Sequence, residues 1–140
     1  MKNIILSISL LSSIVLAELP SYQCVDNYNA TYITGKGTIE PEVKKSSGRS
    51  KLNISIVVKN EKGKKYVDSL RVNGNDLYVT KVNKSYIYAI EFTANAMHTW
   101  VLFDNKDGKP YLTLSKTYDF LGAPMTLYSL YSCEKVNNTF

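Results

Sequence analysis

The residues that could do covalent or acid–base chemistry are few. The chain of 140 residues carries two cysteines, Cys24 and Cys133, and one histidine, His98. A Ser-His-Asp arrangement of the hydrolase type needs its serine on a sharp strand-to-helix turn, and no G-x-S-x-G is present. A zinc site built on one histidine would need several carboxylates, and the usual ligand spacing is missing. "DNKDG" (104–108) has the outline of a calcium loop, but Lys106 stands where a second acidic ligand is required, so it reads as a hairpin turn. The acids sit mainly beside turns, not as a pair set across a cleft for glycoside hydrolysis. No glycine-rich phosphate loop follows a strand-like run. The sequence thus predicts no catalytic residue, no metal ligand and no cofactor, and His98 reads as a strand residue facing solvent.

The cysteines have a different meaning. The chain opens "MKNIILSISLLSSIVLAELP", with Lys2 before an apolar run, Ile4 to Leu16, and small residues ending at Ala17. That pattern predicts a cleaved signal peptide over 1–17 and a single exported domain over 18–140. Outside the cytosol, two cysteines in one small domain pair, which predicts a Cys24–Cys133 disulfide. Each cysteine follows a tyrosine by two residues, Tyr22 and Tyr131. No later stretch approaches the length of a membrane-crossing helix.

Binding chemistry is better represented. Eleven tyrosines, one tryptophan and four phenylalanines are a heavy aromatic load. Tyr66, Tyr86, Tyr88, Trp100 and Tyr111 fall in strand-like runs, where rings with polar tips suit a wall that orients an apolar or amphipathic ligand. Equally, such rings can pack a barrel and send their hydroxyls to its rim. The formal charge of +5 falls by one with Lys2. Nine cations lie between Lys36 and Lys65 against three acids. Lys44, Lys45 and Arg49 in this stretch are the candidates for contact with an extracytoplasmic partner, and a solvated lysine-rich loop is the alternative. Export argues against nucleic acid as that partner.

The elements that must position these residues are strands. Leu52, Ile54, Ile56 and Val58 alternate with Asn53, Ser55 and Lys59, the pattern of a half-buried strand. "KYVDSLRV" (65–72) and "DLYVTKV" (76–82) flank Asn73-Gly74, a strong hairpin signal because both turn positions require positive φ. "SYIYAIEF" (85–92), "MHTWVLF" (97–103), "PYLTLSKTY" (110–118) and "MTLYSLYSCE" (125–134) follow, joined by short turns. In 85–92, Tyr86, Tyr88, Ile90 and Phe92 share one face. Residues 37–51, with Pro41 and Gly48, read as a long basic loop. The count is about eight strands with short serial connections. This predicts an all-β fold, an antiparallel up-and-down barrel with its first and last strands adjacent and disulfide-linked, or alternatively a two-sheet sandwich.

That strand pattern is similar to the lipocalin-like (calycin) barrels, which implies a small apolar ligand. The family's G-x-W near the first strand is absent, and Trp100 lies far downstream. "YQC" (22–24) together with a cysteine near the C-terminus also resembles the periplasmic inhibitors of C-type lysozyme, which implies a protein-binding module. Their S-G-x-x-Y loop is matched by Ser47-Gly48-Arg49-Ser50-Lys51 without the tyrosine, and their W-x-K-G segment is missing.

The expectation is an exported, non-enzymatic, monomeric binding protein of the periplasm or the secreted fraction. It holds a small apolar or amphipathic ligand; the alternatives are a protein-binding or inhibitor module and a structural envelope protein. Four N-x-S/T sequons, at Asn29, Asn53, Asn83 and Asn137, carry glycans only in a eukaryotic secretory pathway.

Overall fold

The computed structural model describes residues 21–33, 42–46, 48, 50–120 and 122–136, and its elements are all strands. They are β1 (Ser21–Ile33), β2 (Glu42–Lys45), β3 (Lys51–Glu61), β4 (Lys64–Val72), β5 (Asn75–Val82), β6 (Tyr86–Phe92), β7 (Ala96–Asp104), β8 (Pro110–Phe120) and β9 (Ala123–Val136). β3 to β9 form an antiparallel meander, and β1 lies between β3 and β9. β1 and β3 to β9 therefore close an eight-stranded barrel, with β2 as a ninth strand beside β1. Closure excludes the two-sheet sandwich.

Alternation along each strand decides the interior. Ile54, Leu70, Val72, Leu77, Ile87, Ala89, Trp100, Leu102 and Leu112 are buried and form one core with Tyr22, Val82, Tyr131 and the two cysteines. An eight-stranded barrel is just wide enough to be filled by such side chains or to hold one small ligand. Three bulges adjust the faces. Asn27 is an extra residue on β1 against β9, Asp68 on β4 against β3, and Thr80 on β5 against β6. The bulge at Thr80 explains why both alternating faces of 76–82 carry apolar residues: it lets Leu77, Val79 and Val82 all reach the core.

The hairpins follow their turn residues. Asn73 and Gly74 have φ of 47° and 86°, the expected positive pair. The Asn73 N–H donates to Asn53 O, and its side-chain oxygen accepts the Asn53 N–H. Lys62-Gly63 makes a turn of the same kind with φ of 52° and 76°.

The seam is the pairing of β1 with β9. Cys24 and Cys133 are direct register partners and are disulfide-bonded. Tyr22 and Tyr131 are both buried, two register positions to either side of the bridge and on the same face.

One expectation is corrected. Residues 37–51 are not a continuous loop, because 42–45 form β2. The cause is the length of β1. β3 covers its edge only from Ser21 to Val25, and β2 takes over the same edge from Tyr28 to Thr31. The handover is fixed by Asp26, which is buried. Its carboxylate accepts the Ser50 N–H at 3.0 Å and the Ser46 hydroxyl. The Ser46 N–H donates to Asn27 O at 2.7 Å, and the Asp26 N–H to Ser50 O at 3.2 Å. The signal-peptide span, residues 37–41, Ser47, Arg49 and Asn137 lie outside the described residues.

Candidate functional site

Of the five aromatic ligand candidates, only Trp100 points into the barrel. Tyr86 and Tyr88 flank buried Ile87 and so face outward, edge to face with centroids 4.9 Å apart. Tyr111 precedes buried Leu112 and also faces out, stacked on Phe103 of the neighbouring strand at 5.9 Å. Tyr66 pairs with exposed Lys59 on the outer side of β3–β4. The face shared by Tyr86, Tyr88, Ile90 and Phe92 is thus the outer one, which periodicity alone could not assign.

These outward rings assemble into a wall. Directly paired residues on adjacent strands share a face. One such row reads Lys81, Tyr88, Val101, Thr113, Leu130, Tyr28 and Lys45, each residue the register partner of the next. A lysine stands at each end. The adjoining rows add Tyr86, Phe103 and Tyr111 on one side, and Tyr78, Ile90 and Tyr128 on the other. Exposure along the wall is high for residues of this kind: Phe92 is 70% and Tyr78 68% exposed, with Tyr28, Met97 and Tyr128 near half. Isolated exposed rings need no explanation, but a contiguous set is the usual mark of an interaction surface.

The wall does not encircle the barrel. On β3–β5 the outer side carries ion pairs, Lys59 with Asp68 at 3.0 Å and Arg71 with Asp76 at 2.7 Å. The Arg71 guanidinium holds the Asp76 carboxyl below its ordinary range, chiefly through their hydrogen bond. Lys44 and Lys45 are exposed on β2, and Lys45 joins the wall beside Tyr28.

The lumen carries a second polar feature. His98 does not face solvent, which corrects the sequence reading. It lies two residues from Trp100 on the inward side of β7, and its side chain is 14% exposed. Its Nδ1 is 2.8 Å from Glu91 Oε2, its direct partner on β6. His98 Nε2 and Trp100 Nε1 are buried and have no hydrogen-bond partner among the described residues. Lys116, the partner of His98 on β8, shares that face, its ammonium 5.2 Å from the Tyr118 ring centre. A lone histidine gave no hint of this, because its strand face depended on the pairing of its neighbours.

At the opposite end of the lumen, burial and then the nearby Asp104 carboxylate push the Tyr22 phenol up to about 12. Burial also raises Tyr131, against the opposing effect of a hydrogen bond with Ser129. Among the described residues, no cluster of histidine, cysteine and carboxylates is placed to hold a metal ion, and no helix is long and apolar enough to cross a membrane. No protein-family model matches the chain, and no curated protein matches it.

Proposed function

We propose that this chain is an exported, non-enzymatic binding protein whose outer wall over β5 to β9, β1 and β2 engages an extracytoplasmic protein. The observation that carries this reading is the lysine-ended row from Lys81 to Lys45, which carries Tyr88 and Tyr28 and is flanked by the rings of the adjoining rows. Rings with polar tips supply large contact area at low entropic cost, and aromatic residues are enriched at interface centres. Lysines at both ends suit a partner with an apolar centre and an acidic rim. The disulfide fits an oxidising compartment. Lys45 of the basic stretch and the exposed aromatics, far apart in sequence, belong on this reading to one surface.

The test is a comparison of variants against a partner captured from the protein's own host. Tyr88→Ser with Tyr28→Ser should weaken binding about tenfold or more if these rings are central anchors. Lys45→Glu with Lys81→Glu should weaken it and reduce its salt dependence. Lys59→Glu, on the charged side of the barrel, should leave it unchanged. Equal loss in all three variants, or in none, would remove the reading.

A small ligand inside the barrel is the second reading, favoured by the two unpartnered buried nitrogens on β7.

A further inference from the structure

The buried nitrogens of His98 and Trp100 need partners. Each is a polar atom withdrawn from water, and leaving such an atom unsatisfied is costly. Two together on one strand face, at positions i and i+2, are not scattered imperfections.

The groups present define what would satisfy them. The Trp100 indole N–H can only donate, so the missing group must accept. His98 presents Nδ1 to the Glu91 carboxylate, which accepts; the proton is therefore on Nδ1, and Nε2 is left buried on the inward side of β7 without a partner among the described residues. Nε2 accepts when the ring is neutral and donates when it is charged. The charged groups on the facing strands are Glu91 on β6 and Lys116 on β8. Among the described residues of β6 to β8, a charged imidazole would leave this inward face with one negative and two positive groups, and one further negative charge would balance them. The neighbouring positions along the same inward faces are apolar: Ala89 is directly opposite Trp100 on β6, and Leu114 directly opposite it on β8.

We infer that the lumen between β6, β7 and β8 is a site for the carboxylate of a small organic acid, one oxygen accepting from Trp100 Nε1–H and the other meeting His98 Nε2. A carboxylate has two oxygens for two nitrogens and satisfies Nε2 in either state: it accepts from the imidazolium, or as the acid it donates to the neutral ring. Glu91 is a positioning residue that fixes the ring and its tautomer. The short apolar tail of the acid lies against Ala89 and Leu114. This site is independent of the outer wall, so either can fail without the other.

Trp100 is the chain's one tryptophan and reports on the site directly. Butyrate and octanoate are titrated into the intact, disulfide-bonded protein, with tryptophan emission and calorimetry as readouts. Octanol and octyltrimethylammonium serve as matched probes without the carboxylate. The expected result is a saturable change in emission and heat with the carboxylates alone. His98→Leu should weaken carboxylate binding about tenfold or more, as should Trp100→Phe, read by calorimetry. Glu91→Gln, which keeps a hydrogen-bonding partner for Nδ1 but removes the charge, should weaken it less. Thermal melts show whether each variant remains folded. If any variant unfolds, the wild-type contrast between probes still decides. The inference is overturned if the wild type shows no saturable response, in which case water alone occupies the site. It is equally overturned if octanol binds as well as octanoate.

Discussion

Tyr22 shows how a residue's place inside the barrel becomes a measurable property. Its phenol ordinarily ionises near 10 and is held protonated up to about 12 by burial and by the neighbouring carboxylate. The folded state therefore keeps a proton that the unfolded chain releases. This contribution is fully present below pH 10 and is lost as pH rises from about 10 to about 12. Melting temperature should fall across that window, and Tyr22→Phe should flatten the fall. A wild-type slope retained in the variant would place the effect elsewhere. The pairing of the two tyrosines with the two cysteines was legible in the sequence, since i and i+2 share a strand face. The inward turn of His98 was not, because a single polar residue in "MHTWVLF" fits either face until its neighbours are known.

At the scale of elements, the strands and tight turns follow from alternation and from Asn-Gly or Lys-Gly pairs. Two elements resisted sequence reading. β2 is only four residues, Glu42–Lys45, in a stretch rich in lysine, and it exists because β1 outruns β3. The face of β5 was ambiguous because the Thr80 bulge breaks its period. Asp26 ties β2 into the fold, and nothing local in "CVDNY" announces that role. Asp26→Ala should detach β2 and cost roughly 1.5–3 kcal/mol, the range for hydrogen bonds to a charged group. Amide exchange at Lys45 and Ser46 should accelerate while exchange in β7 and β8 stays slow. Uniform acceleration across all strands would show that Asp26 supports the whole barrel instead.

For the whole molecule, the meander and its closure were legible because short turns force sequential strands to pair, and two distant cysteines implied that the ends meet. The outer wall was not, since it is assembled from β5 to β9 with β1 and β2, and no window of sequence contains it. Cys24 and Cys133 lie 109 residues apart, and the chain-entropy model gives such a link at most about 4–5 kcal/mol. Replacing both by serine should lower unfolding stability by up to that amount in a denaturant titration. A loss below about 1 kcal/mol would mean that the bridge restricts the unfolded chain little. The seam also orders events in time. During synthesis β1 emerges first, yet one of its edges has no partner until β9 has been made. β3 to β8 can meanwhile zip up through local hairpins, so the final step is a long-range docking, slow by its nature. Until then Cys24 has no intramolecular partner to pair with wrongly. The hazard for the nascent chain is a mixed disulfide or strand exchange with another molecule.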